Sequence, residues 1–144
     1  MTAEAYFAAT QGTERDAYLE SLTPEALLRL GIDLYNAGHY WNAHEAWEQV
    51  WLDAPRELRA FYQGLIQLTA ALVHVTRAEY PGSVRLLAAA IDKLQVYESP
   101  TLGVDVTSLV DGARKALSRL QEVGDRGIGE FEMTLVPRIR RTQG

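Results

Sequence analysis

The sequence predicts an all-α fold, an antiparallel helical bundle of about five to six helices around a central helical hairpin, and three observations carry that reading. Apolar residues recur at three- and four-residue steps through most of the chain. The segments between these periodic runs are short and built from helix breakers: Gly38, Asp53-Ala54-Pro55, Tyr80-Pro81-Gly82-Ser83, and Glu98 to Val104 with Ser99-Pro100 and Gly103. No run alternates apolar and polar residues long enough for a strand. Val104-Asp105-Val106 comes nearest and is too short.

Each element has its own justification. Glu14 to Leu22 reads as a short helix entered through Thr13. Thr23-Pro24-Glu25 is a helix start: a Thr cap, proline in the first turn, then an acidic residue at the positive end of the dipole. Leu27, Leu28, Leu30, Ile32, Leu34 and Tyr35 continue an apolar face to about Ala37, where Gly38 stops it. Tyr40 to Leu52 forms the next helix. Arg56 to Ala78 forms the longest, with Phe61, Leu65, Leu68, Leu72 and Val75 on its core face. Tyr80 to Ser83 reads as a turn, followed by a helix from Val84 to about Tyr97. Val106, Leu109, Val110, Ala113, Leu117 and Leu120 mark a last helix over 105–123, and Gly124, Gly127 and Gly129 loosen the remainder. A faint echo at a step of forty sets Leu34, Tyr40, Ala43 and Trp47 against His74, Tyr80, Ser83 and Leu87. Two copies make helical hairpins, not a solenoid. One helical domain over 1–144 follows, with a core at 24–97 and an irregular tail at 124–144.

Composition bounds the function. The chain has 144 residues, 47% apolar and 23% charged, ordinary values for a globular domain. Its formal charge of −5 repels phosphate backbones, so no nucleic-acid partner is expected. The only basic cluster, Arg138, Arg140 and Arg141, reads as solvated tail charge. The absence of cysteine excludes disulfides, thiolate metal sites and cysteine nucleophiles. Met1 to Tyr6 carry Glu4, no Lys or Arg, and no apolar segment after them, which argues against a signal peptide. No run approaches the ~20 apolar residues of a membrane span. A cytoplasmic protein with no membrane partner is expected.

The chemistry concentrates in Tyr40 to Trp51, which holds all three tryptophans, one histidine and two glutamates. On a helix, Trp41, His44, Glu48 and Trp51 share a stripe. Ionisable groups between indoles must be paired or bound by something. The antiparallel neighbour offers Gln63, Gln67 and His74, with Gly64 allowing close approach. We expect His44, Glu45 or Glu48, Gln63 and Gln67 to share a hydrogen-bond network shielded by Trp41, Trp51 and Tyr62. Such a network either fixes helix register or lines a small-ligand pocket. A divalent-metal alternative exists: His44-Glu45-Ala46-Trp47-Glu48 is like the zincin pattern with its second His replaced by Glu. His44 and Glu48 would ligate the metal and Glu45 would act as general base of a hydrolase. A homo-oligomeric scaffold using exposed apolar residues of the last helix is a third reading. No nucleophile elbow surrounds any serine and no phosphate-binding glycine loop is present.

Tyr40 to Trp51, followed by Phe61-Tyr62-Gln63-Gly64-Leu65-Ile66-Gln67-Leu68-Thr69-Ala70-Ala71-Leu72 and then His74, resembles the domain of unknown function 309 family. The resemblance covers roughly Leu27 to Leu94 and implies a small all-helical bundle. It places the family's polar positions on His44, Glu45, Glu48, Gln63, Gln67 and His74, its tryptophan on Trp51 and its close-packing glycine on Gly64. Asn42 stands where the family often has Glu. The resemblance implies no activity.

Overall fold

The computed structural model describes residues 2–10 and 14–142. Within them, seven α-helices follow one another: α1 (Ala3–Ala9), α2 (Arg15–Glu20), α3 (Pro24–Asn36), α4 (Tyr40–Leu52), α5 (Arg56–Thr76), α6 (Tyr80–Leu94) and α7 (Val106–Gly127). Two short 3-10 turns, Ile128–Glu130 and Met133–Leu135, follow α7. The fold is all-α, with one helix more than expected at the N-terminus. That helix, α1, is seven residues long and carries Ala3 and Tyr6 as its only buried positions, too little for a periodic signal. Thr13, the expected entry to α2, lies outside the described residues.

Each helix from α3 to α7 packs on its neighbour in sequence, α3 on α4 through α6 on α7. The starts are capped as the sequence indicates. Thr23 accepts from the Ala26 N–H, with Pro24 in the first turn of α3, and Asp105 accepts from the Ser108 N–H at the start of α7. The α3–α4 turn is a Schellman closure: His39 N–H donates to Leu34 O at 2.8 Å and Gly38 N–H to Tyr35 O at 2.9 Å, with Gly38 at φ +86°. The α5–α6 turn repeats it forty residues later. There Glu79 N–H reaches His74 O at 2.9 Å and Ala78 N–H reaches Val75 O at 3.0 Å, with Ala78 at φ +56°. The sequence echo is thus two hairpins closed by one kind of turn. It also shows why Tyr80 to Ser83 is not a loop. Pro81 occupies the first turn of α6, where a missing N–H costs nothing.

The core is one apolar cluster centred on Tyr35, Trp47, Phe61, Leu65, Leu72 and Leu87. Trp47 sits at its middle, fully buried, donating its indole N–H to Leu28 O at 3.3 Å. Gly31 on α3 receives that ring; a Cβ there would come within 2.0 Å of Trp47 Nε1. Gly64 plays the same part between α5 and α6, where a Cβ would meet Leu94 Cγ at 2.8 Å.

The C-terminal tail is irregular yet docked. Asn36 exchanges two hydrogen bonds with the backbone of Ile139, both 2.9 Å, and Tyr35 donates its hydroxyl to Pro137 O at 2.7 Å. Val104 bridges Arg141, and Asp105 N–H donates to Arg140 O at 2.8 Å. Arg141 itself reaches Asp33 at 4.0 Å, so this basic residue serves an internal contact. Among the described residues, no helix is long and apolar enough to cross a membrane. The apolar residues of α7 from Val106 to Leu120 are buried, apart from Leu117, which is half-buried and packed against the core. The large exposed hydrophobics lie elsewhere, at Trp41, Leu52, Val96, Leu102, Met133 and Leu135, so α7 offers no apolar face for a scaffold.

Candidate functional site

Helix α4 buries Ala43, Ala46, Trp47 and Val50 against the core and turns Glu45 and Glu48 to its α2 side. Trp41 is exposed and stacks flat on His44, ring centroids 5.2 Å apart at 6°. The His44 side chain is 15% exposed, and its Nδ1 lies 3.6 Å from Glu48 Oε2. That is ion-pair distance but beyond a hydrogen bond, and Nδ1 is buried with no hydrogen-bond partner among the described residues. Glu48 is mostly exposed.

Glu45 faces α2. Arg15 holds its Oε2 at 3.2 Å, while Oε1 is buried and receives no hydrogen bond from any described residue. Burial pushes the Glu45 carboxyl above its ordinary range; Arg15 opposes the rise, Asp16 adds to it, and His44 and Glu48 act downward and upward in turn. Tyr6 of α1 belongs to the same group. Its hydroxyl is raised by burial first and by the Glu45 charge second, while Arg15 and the Thr10 side chain act downward. Trp51, one face covered by the Arg59 guanidinium at 4.3 Å, keeps its indole N–H buried, with no hydrogen-bond partner among the described residues. Arg59 also donates to Trp51 O at 3.3 Å, which fixes the α4 end against α5.

Between α2 and α4 these groups border a cleft of about 290 Å³, lined by Asp16 and Leu19 on one side and Glu45, Glu48, Trp51 and Leu52 on the other. Its polar edge offers carboxylate acceptors and an indole donor, and its walls are Leu and Trp. Such a surface can hold a small molecule that presents both a donor and an acceptor.

The structure divides the residues expected to form one network. Trp41, His44 and Glu48 stand together on α4, and Glu45 and Trp51 border the cleft. Gln63 is exposed and makes no hydrogen bond with His44; the expectation that it joins the network is corrected. The reason lies on α5, where Phe61, Tyr62, Leu65 and Leu68 take the buried face and leave position 63 toward water. Gln67 is half-buried, and its Oε1 has no hydrogen-bond partner among the described residues. His74 is corrected as well: its Nδ1 pairs with Glu79 at 3.0 Å, and its ring rests on Gly82 at the start of α6. Tyr62 lines a different cavity, beside Val50 and Leu58.

For a metal, His44 and Glu48 are two ligands where a catalytic zinc takes three from the protein. Among the described residues, no group of three or more His, Asp or Glu side chains is placed to hold an ion, and His74 is committed to Glu79. Sequence reasoning missed Tyr6, Arg15 and Asp16. Arg15 alone carried a usable signal, its charge: it is a cation on a short helix that could neutralise a half-buried glutamate.

The "Uncharacterized protein YpuF" of Bacillus subtilis (strain 168) is 28% identical over 103 residues, which is 69% of this chain and 59% of that protein. The chain therefore spans less than two thirds of the length of that relative. No solved structure matches the chain. Residues 28–86, from within α3 through the first half of α6, match the model of the family described as Domain of unknown function (DUF309), so the family resemblance is shown over the segment that contains the central hairpin and every α4 residue of the cleft.

Proposed function

We propose that the chain is a small-ligand-binding helical protein whose site is the cleft between α2 and α4. One observation carries this reading. Arg15 Nε, Glu45 Oε1 and Trp51 Nε1 are buried without hydrogen-bond partners among the described residues; Glu45 and Trp51 border the cleft, and Arg15 is paired to Glu45. Buried polar atoms are normally paired, and several orphans in one place call for a ligand or bound solvent. A purely structural network would have used those atoms on one another. The ligand is small and bifunctional: a donor for Glu45 Oε1, and an acceptor for the Trp51 indole N–H. The proposal places the protein in the cytoplasm, on its acidic, mixed-charge composition.

The test is an NMR titration of isotope-labelled protein with a panel of amino alcohols and amino acids. Saturable shifts at Glu45, Trp51 and Asp16 that vanish in Glu45→Gln support the reading. No saturable binding, together with a large stability loss in unliganded Glu45→Gln, would leave the cluster purely structural.

A further inference from the structure

A second cavity, independent of the α2–α4 cleft, lies on the opposite side of α4. It measures about 460 Å³ and is walled by Leu28 of α3, Val50 of α4, Leu58 and Tyr62 of α5, and Leu102 from the α6–α7 loop. Its volume is in the range of small-molecule sites, which are mostly apolar with a few placed polar groups. Two features of the wall point to an occupant. Tyr62 is 4% exposed and faces the cavity, yet no described residue hydrogen-bonds its hydroxyl. Glu25 and Asp53 stand at the mouth, both exposed, and neither has an ion-pair partner among the described residues. Asp53 also caps the negative end of α4, which adds to the field there.

Leu102 adds a further observation. It sits in the left-handed region at φ +51°, in the turn closed by Thr101 and Val104, and remains 46% exposed. A branched side chain in that conformation is strained, and half-exposure returns little of the cost. Gly or Asn would close the same turn without strain. What Leu102 supplies instead is an apolar rim to the cavity.

We propose that this cavity binds a lipophilic organic cation: an apolar body among Leu28, Val50, Leu58 and Leu102, a cationic head between Glu25 and Asp53, and a hydrogen bond with the Tyr62 hydroxyl. The charge of the mouth selects a cation over a neutral or acidic molecule of the same shape.

The experiment titrates the full chain with phenethylamine, phenethyl alcohol and phenylacetate, reading the signals of Leu28, Leu58 and Tyr62 by NMR. The amine binds best, the alcohol less well and the acid least. In a Glu25→Gln/Asp53→Asn variant the advantage of the amine over the alcohol falls by about five-fold, the scale of exposed charge contacts. Leu102→Asn weakens the amine by about ten-fold through lost apolar contact, while its melting temperature stays level or rises because the strain is gone. Equal affinity for all three probes, preference for phenylacetate, or no saturable binding would overturn the proposal. So would light scattering that shows the wild-type chain dimeric and Leu102→Asn monomeric, because a second copy would then be the occupant.

Discussion

Gly31 and Trp47 set how closely α3 and α4 approach, and the margin is small. A methyl group at position 31 would sit 2.0 Å from the indole nitrogen of a ring with no exposure and a fixed hydrogen bond to Leu28 O. Gly31→Ala gains about 1 kcal/mol of helix propensity and loses more to overpacking, about 3 kcal/mol or beyond where the ring cannot move. A net loss of about 2 kcal/mol in denaturant unfolding is expected; an unchanged midpoint would show the α3–α4 contact to be loose. Glu45 makes a residue-level prediction of opposite sense. A carboxyl whose native pKa lies above its ordinary value of 4.5 binds protons more readily when folded. Its contribution to stability is therefore complete below that value and drains away as pH climbs through the raised native value. Glu45→Gln removes this dependence. The variant's melting temperature falls less than the wild type's as pH rises through the weakly acidic range and is level with or above it at neutrality, despite loss of the Arg15 contact. Scanning calorimetry at several pH values checks this. A Glu45→Gln protein much weaker than wild type at neutral pH would mean that Arg15 outweighs burial.

At the scale of elements, the two Schellman turns form an internal control. Gly38 and Ala78 hold equivalent positions forty residues apart, both in the left-handed region. For Ala that conformation costs about 1–2 kcal/mol, against which glycine's extra unfolded-state entropy weighs about 0.4–1 kcal/mol. Ala78→Gly is therefore expected to stabilise the chain by up to about 1 kcal/mol and Gly38→Ala to destabilise it by a similar amount, both read from urea midpoints at unchanged slope. Helices of this kind were legible in the sequence because each carries a period, a cap and a breaker. Thr23-Pro24-Glu25, Gly38 and Asp53-Ala54-Pro55 mark their ends where the structure has them. Tyr80 to Ser83 was misleading because proline and glycine belong equally to turns and to a helix's first turn. The candidate site was legible only in part. Trp41, His44 and Glu48 share a stripe by helical geometry alone, so spacing finds them. The partner of Glu45 depends on where α2 docks, which no local pattern encodes. Gln63 and His74 were assigned by counting turns along α5. A register argument fixes height along a helix, but the side chain's direction follows from which face the larger apolar residues claim.

Across the whole molecule, the helices differ in how firmly they are held. From α3 to α7 each buries a broad apolar face against its neighbours. The tail is tied in by Asn36 and Tyr35 and by its bridge to Val104. By contrast α1 anchors through Ala3, Tyr6 and the half-buried Phe7, and α2 through Leu19 and the half-buried Tyr18, which meets Tyr6, with the Arg15–Glu45 pair as its polar tie. Local opening free energy follows buried apolar contact, so α1 and α2 should open far below the global unfolding energy. Amide exchange is expected to be fastest in α1 and α2 and slow in α3 to α6. The irregular 137–142 segment should be protected well above α2 because its N–H groups at Ile139 and Thr142 are bonded across the fold. The weakest helix thus forms one wall of the α2–α4 cleft. A ligand seated there binds only when α2 is docked, so it must slow exchange in α2 by the factor it stabilises the closed form, about a hundred-fold at a hundred times its dissociation constant. The same ligand leaves α6 and α7 exchange unchanged wherever opening there is local. Exchange in α2 that stays fast under saturating ligand would separate binding from α2 docking and remove the cleft as its site.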